Sequence, residues 1–296
     1  METLEGIKRR IDSVEDLQSI VKTMKALAAV SIRQYEKAVA SLATYARTIE
    51  LGFQVVLRNR PGELAATGVI RRRRLGAIVF GSDQGMCGQF NEQIAAYAIA
   101  GMAKLETPPE NRLVLALGGR VVARLEEAGQ PVEEVWPVPG AVAGITPLVQ
   151  DILMKLNEWG SEQAIDQVFL FYNTPAADSP YRPHMLPLLP VDLERLRGLE
   201  KKPWPSHVLP TFSMEWDRLF SALIHQYLFV SLYRALAESL ASENASRLAA
   251  MQAAEKNIEE KLVELNALFH HQRQSSITEE LLDIVSGFEV LTGRAV

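Results

Sequence analysis

One cysteine, Cys87, stands in 296 residues, so no disulfide can close within the chain and a reducing compartment is allowed. No apolar run reaches the roughly 18 residues of a transmembrane helix. The opening METLEGIKRR holds no apolar signal core, so neither export by a signal peptide nor a membrane span is expected. Aromatics are only 7% of the chain. Proline is missing from residues 1–60 and from 211 to the end, and glycine after 211 occurs only at Gly287 and Gly293. Such stretches hold few helix breakers, so long helices at both ends are expected. The formal net charge is −5, which provides no field to attract nucleic acid. The run Arg71-Arg72-Arg73-Arg74 is the local exception. It reads as a solvated loop entering a strand, with a phosphate or lipid-headgroup site as the sharper alternative.

The hydrophobic fraction is 48% and the charged fraction 23%, as in ordinary globular domains, and the length suits one or two of them. Within 1–60, steps of three and four from Leu4 reach Ile7, Ile11, Val14, Gln18, Val21, Lys25, Ala28, Ile32, Tyr35, Val39, Leu42, Ala46 and Ile49. Only Gln18 and Lys25 interrupt this heptad stripe. A helix that long, about 80 Å, outruns a globular core and needs a partner helix. Burying an unpaired charge is costly. Lys25 and Gln18 therefore mark a part of the seam that is thinly covered or meets something polar. Within 211–292 a similar spacing links Leu219, Leu223, Val230, Tyr233, Leu236 and Leu240. It continues through Leu248, Met251, Ile258, Leu262, Leu265 and Phe269 to Ile277, Leu281, Val285 and Phe288.

Residues 75–205 alternate between strand and helix patterns. LGAIVF, RLVLAL and QVFLFYN read as buried strands, and PVEEVWPV as a weaker one. NEQIAAYAIAGMAKL, VVARLEEAG and ITPLVQDILMKLNEW read as helices. YRPHMLPLLPV is a proline-broken edge strand at best, and LRGLEKKPWPSHVLP reads as a linker. The expected fold is α/β: a long antiparallel coiled coil formed by the two terminal helices, with an inserted Rossmann-like domain.

Few residues promise chemistry. The loop 82–91, SDQGMCGQFN, follows a strand and precedes a helix, where open α/β sheets bind ligands. Gly85 and Gly88 could bring backbone amides to an anion. However, the loop matches neither a Walker A pattern nor GxGxxG. Its structural reading is a strand-to-helix turn capped by Ser82 or Asn91. Cys87 has no basic neighbour in sequence and reads as a small buried hydrophobe, not a nucleophile. His270 and His271 are adjacent, so they do not share a helix face as metal ligands would. No carboxylate pair suggests catalysis. No catalytic residue, metal site or cofactor is expected. The most informative polar cluster is Arg273, Gln274, Thr278, Glu279 and Glu280. Arg273 and Gln274 carry hydrogen-bonding forks suited to carboxylates of another chain.

Three segments resemble one family. LEGIKRRIDSVEDLQSIVKTMKALAAVSIRQYEKAV is similar to the amino-terminal helix of gamma subunits of F-type ATP synthases. SDQGMCGQFN resembles their Ser-Asp-Arg-Gly-Leu-Cys-Gly-Gly-Leu-Asn motif. SENASRLAAMQAAEKNIEEKL with RQSSITEELLDIVSG resembles their carboxy-terminal helix. The matches fall in family order and distance over the whole length. Gln84 stands where the family usually has Arg, Gln89 where it has Gly and Ser31 where it has Lys. These departures are what a divergent branch would carry.

The resemblance implies a non-catalytic central-stalk rotor inside a hexamer of alpha and beta subunits, its foot on the epsilon subunit and the c-ring. ATP chemistry would lie on the hexamer. By the same resemblance, Arg273 and Gln274 meet a polar loop of a beta subunit, and Thr278 and Glu280 lie in the same torque region. Met24 and Lys25 face an acidic lever segment of beta. Ser82, Asp83, Gly85, Cys87, Gly88 and Asn91 belong to the domain loop. The expected location is the cytoplasmic face of a bacterial membrane, peripherally attached. Two other readings compete on the residues alone. One is a small α/β enzyme with helical oligomerisation arms, which requires a ligand at 82–91. The other is a coiled-coil scaffold, which requires an unbroken seam.

Overall fold

The computed structural model describes residues 3–59, 74–105, 107–200, 202–208 and 210–292. Arg71, Arg72 and Arg73 lie outside the described residues. Arg74 donates from Nη1 to the Gln163 carbonyl at 3.1 Å. The first helix, α1, spans Leu4–Asn59. Thr3 begins it by accepting the Gly6 N–H at 3.2 Å on its hydroxyl, so one of the orphan donors of the first turn is satisfied. All fourteen positions of the heptad stripe are buried or half-buried. The last helix, α6, spans Trp216–Thr292.

Between them lie β1 (Leu75–Phe80), α2 (Phe90–Lys104), β2 (Arg112–Leu117), α3 (Gly119–Glu127) and β3 (Glu134–Trp136), then α4 (Ile145–Glu162), β4 (Gln167–Thr174), β5 (Arg182–Leu189) and α5 (Leu193–Glu200). The sheet order is β3-β2-β1-β4-β5. The first three pairings are parallel and β5 runs antiparallel on β4. β5 is complete despite Pro183 and Pro187, because an edge strand can leave missing donors on its open side. The stretch read as a linker, which starts at Leu196, begins inside a helix, α5. Its Leu196 and Leu199 are buried with Ile49, Phe53 and Leu57 of α1 and Val230 of α6. The proline and lysine cues hid those two apolar anchors.

Two compact units make up the chain. In the unit Ala28–Arg247, side chains alternate across the sheet with the strand period of two. Leu75, Ala77, Val79, Val114, Ala116 and Phe171 pack with α2 and α3. Ile78, Phe80, Leu115, Leu117, Leu170 and Tyr172 face α4, Tyr35 and the α6 residues Leu232, Leu236 and Leu240. α6 is therefore one of the helices that cover the sheet.

In the other unit, Met1–Leu27 with Leu248–Val296, the helical segments run antiparallel. Lys25 pairs with Glu255, and Arg10 acts on Glu264 through its charge. Ile7, Val21, Met251 and Leu265 are the buried residues of this seam. The paired numbers add to 280 and 274, which sets the start of α1 opposite residues 270–276. From Ile277 to Phe288 every side chain is exposed. The apolar spacing through Ile277, Leu281, Val285 and Phe288 thus continues past the end of the partner helix. No helix among the described residues is long and apolar enough to cross a membrane.

Candidate functional site

The loop after β1 and the end of β4 flank the point where the strand order reverses. In open α/β sheets, ligands bind in the crevice there. Loop 82–91 is held on the sheet side by its own polar groups. Asp83 accepts the Gly119 N–H at 2.9 Å and the Val138 N–H at 2.7 Å. Asn91 accepts the Ser82 N–H at 3.0 Å and donates to the Ser82 hydroxyl at 2.9 Å. The Ser82 hydroxyl donates to the Gln84 carbonyl at 2.9 Å. The expected capping role of Ser82 or Asn91 is corrected: Gln89 is the N-cap of α2 and makes no side-chain cap bond. Asn91 sits inside the first turn and reaches back to brace the loop.

Two glycines make the close approach possible. Gly118, with φ +93°, would place a Cβ 2.6 Å from the Ser82 backbone. Gly88, with φ +58°, lies under Ser246, and a Cβ there would stand 3.5 Å from its hydroxyl. Gly85 is half-buried beside Arg120. Cys87 is 2% exposed, and burial pushes its thiol up from the usual range, which the Ser82 hydrogen bond only partly offsets. A thiol held protonated is a poor nucleophile.

The crevice itself is filled by α6. The Ser242 hydroxyl donates to the Asn173 carbonyl at 3.1 Å, and the Ser246 hydroxyl to the Cys87 carbonyl at 2.5 Å. Arg247 Nη2 donates to Glu243 Oε1 at 2.5 Å and to the Gln84 carbonyl at 3.4 Å. The chain thus plugs its own ligand crevice, and the small-enzyme reading loses the space it requires. Ser242, Glu243, Ser246 and Arg247 escaped the residue-level reading. Their signal was a polar run, SENASR, in an otherwise apolar-periodic helix, with Ser239, Ser242 and Ser246 on one face at helical spacing.

The residues expected to meet a partner lie in the other unit. Met24 and Lys25 are half-buried on α1. The Lys25 ammonium is paired inside the chain with Glu255, the polar partner that lets the seam accept it. Arg273, Gln274, Thr278 and Glu280 are all exposed on α6. Thr278 turns its hydroxyl back onto the Gln274 carbonyl at 2.9 Å. Gln84 and Gln89 are exposed and Ser31 is half-buried.

The family model described as ATP synthase matches residues 3–291. The chain belongs to the ATP synthase family. Among curated relatives, the ATP synthase gamma chain of Nitrosospira multiformis is 27% identical over 285 residues, covering 95% of this chain and 97% of that one. The ATP synthase gamma chain of an Anaeromyxobacter species is 29% identical over 301 residues, covering 98% of this chain and all of the other. Among solved structures, a chain of the Euglena gracilis mitochondrial ATP synthase, in its OSCP/F1/c-ring assembly, superposes with a TM-score of 0.62. That alignment has 16% identity and covers 99% of this chain and 96% of that one. A chain of the Tetrahymena thermophila mitochondrial ATP synthase central stalk and c-ring gives a TM-score of 0.54 at 20% identity, with 79% and 99% covered. Both share this chain's fold. For this ATP synthase family member, the loop 82–91 is thus a structural brace against α6, and the exposed polar residues Arg273, Gln274, Thr278 and Glu280 lie on the last helix.

Proposed function

We infer that the chain is the central-stalk rotor, the gamma-type subunit, of an F-type ATP synthase, and that it couples ion-driven rotation to ATP synthesis or hydrolysis on the alpha and beta subunits. The observation that carries this reading is the filling of the switch-point crevice by the chain's own α6. A sheet blocked in this way offers no substrate site there, so the chain acts by contact. The full-length similarity to gamma chains supports it. Its partners are the alpha and beta subunits, the epsilon subunit and the c-ring, and through them it is a peripheral member of a membrane complex. We place it on the cytoplasmic face of a bacterial membrane.

The partner contacts are those that the family resemblance implies, and the exposure of Arg273, Gln274, Thr278 and Glu280 supports them. Towards a polar loop of beta, Arg273 offers a fork of donors and Gln274 an amide that both donates and accepts, with Thr278 and Glu280 one to two turns further on. Met24 and Lys25 meet an acidic lever segment of beta. Lys25 has three N–H donors, and pairing with Glu255 leaves donors for an outside carboxylate. Exposed contacts of this kind are individually weak and exchangeable. A shaft that must release one beta subunit to engage the next requires that property.

Native mass spectrometry of the chain co-expressed with its alpha and beta subunits tests the reading. The expected product holds three alpha, three beta and one copy of this chain. The expected ATPase activity belongs to the complex and not to the isolated chain. A chain that stays outside the hexamer overturns the assignment.

A further inference from the structure

Within the unit Ala28–Arg247, the middle of α6 does more than fill space. From Leu232 to Arg247 it is buried on nearly all sides. An earlier turn uses Ala235, Leu236 and Ala237, which suffice to cover an apolar sheet face. About two and three turns on, the helix instead buries Glu243, 7% exposed, and Arg247, 6% exposed. A buried ion pair is expensive, and well-packed apolar residues often replace one at no loss of stability. The pair is therefore better explained by direction than by stability. Apolar contacts let a helix slide and turn, whereas hydrogen bonds to fixed carbonyls resist both.

The acceptors are loop carbonyls. Arg247 reaches Gln84, and Ser246 reaches Cys87. The same loop is tied to the sheet through Asp83, on the amides of Gly119 and Val138. A continuous polar path thus runs from α6 to the loop to the strand ends. Two further polar contacts join α6 to β4 directly: the Ser242 hydroxyl donates to the Asn173 carbonyl at 3.1 Å, and Glu238 hydrogen-bonds the Tyr172 hydroxyl. Neither of them reaches loop 82–91.

We propose that Ser246 and the Glu243–Arg247 pair form a latch that fixes loop 82–88 to α6 and carries torque between the sheet and the shaft helix. The torque part rests on the rotor reading; the latch itself does not. Cys87 lies beneath the latch, and its carbonyl is the acceptor of Ser246. The thiol of this single cysteine therefore reports on the loop. While the latch is closed the thiol is shielded, and when the loop lifts a small maleimide can reach it.

The test uses the full chain, alone and assembled with its alpha and beta subunits and the membrane sector. The double variant Glu243→Leu with Arg247→Met removes both charges and keeps the packing. Ser246→Ala removes one bond, and Arg247→Lys keeps the charge without the fork. The double variant is expected to melt near the parent temperature and to label at Cys87 about tenfold faster or more. It is also expected to pump fewer ions per ATP hydrolysed. Ser246→Ala and Arg247→Lys should fall between it and the parent. Unchanged labelling in the double variant overturns the latch. Faster labelling with unchanged pumping per ATP overturns the torque role. Should the parent chain fail to enter the complex, the rotor reading and the torque role fall together, and labelling of the chain alone still decides the latch.

Discussion

At the scale of single residues, positions that look interchangeable in the sequence carry very different burdens. Gly118 and Gly119 are adjacent. Only Gly118 has a positive φ, and a Cβ on it would strike the Ser82 backbone at 2.6 Å, whereas at Gly119 the nearest atom is 4.0 Å away. Gly118→Ala should therefore cost about 2 kcal/mol or more. Gly119→Ala, in the first turn of α3, should change stability by no more than about 1 kcal/mol and in the favourable direction. Urea unfolding of both variants would show it, and equal effects would refute the strain argument. Glu243 offers a pH signature. Burial pushes its carboxyl up, Arg247 opposes this, and Asp83 adds to the rise. A carboxyl raised in the folded state contributes most while protonated, and that contribution is lost as pH rises through its folded value. Compared with Glu243→Gln, which cannot titrate, the parent should lose relative stability between acidic and neutral pH. A difference that moved the other way would mean that pairing with Arg247 outweighs burial.

At the scale of elements, the helical seam separates residues of like character. Ile7 and Leu17 are both aliphatic residues of α1, but Ile7 is 1% exposed and Leu17 is 53% exposed. Ile7→Ala should cost about 2–4 kcal/mol and Leu17→Ala less than about 0.5 kcal/mol. Thermal melts of the two would decide whether the seam lies where the heptad stripe places it. The stripe was legible because a coiled-coil pattern is local and repetitive. The end of the pairing was not, since α6 keeps its apolar spacing after α1 has run out. Likewise, β5 and α5 were obscured by prolines and lysines whose cost vanishes at an edge or on the surface.

At the scale of the whole molecule, stability and function should separate along α6. Arg273 is exposed, so Arg273→Ala should alter the stability of the chain by less than about 0.5 kcal/mol. It should still lower ATP-driven turnover in the assembled complex. A matching fall in the melting temperature of the free chain would assign Arg273 to the fold and not to the partner surface.

The sequence by itself determined the two terminal helices, the α/β alternation between them and the family. Each is written in short-range periodicity or in motifs that need no knowledge of what touches what. Only the tertiary structure decided that α6 occupies the ligand crevice of its own sheet. Ser246 and Cys87 are 159 residues apart, and although the serine face of SENASR marks the stretch, it does not tell a solvated polar turn from one buried against loop carbonyls. The reason is physical: the cost of burying Glu243 and Arg247 depends on partners brought from elsewhere in the chain, and those partners exist only once the sheet has formed.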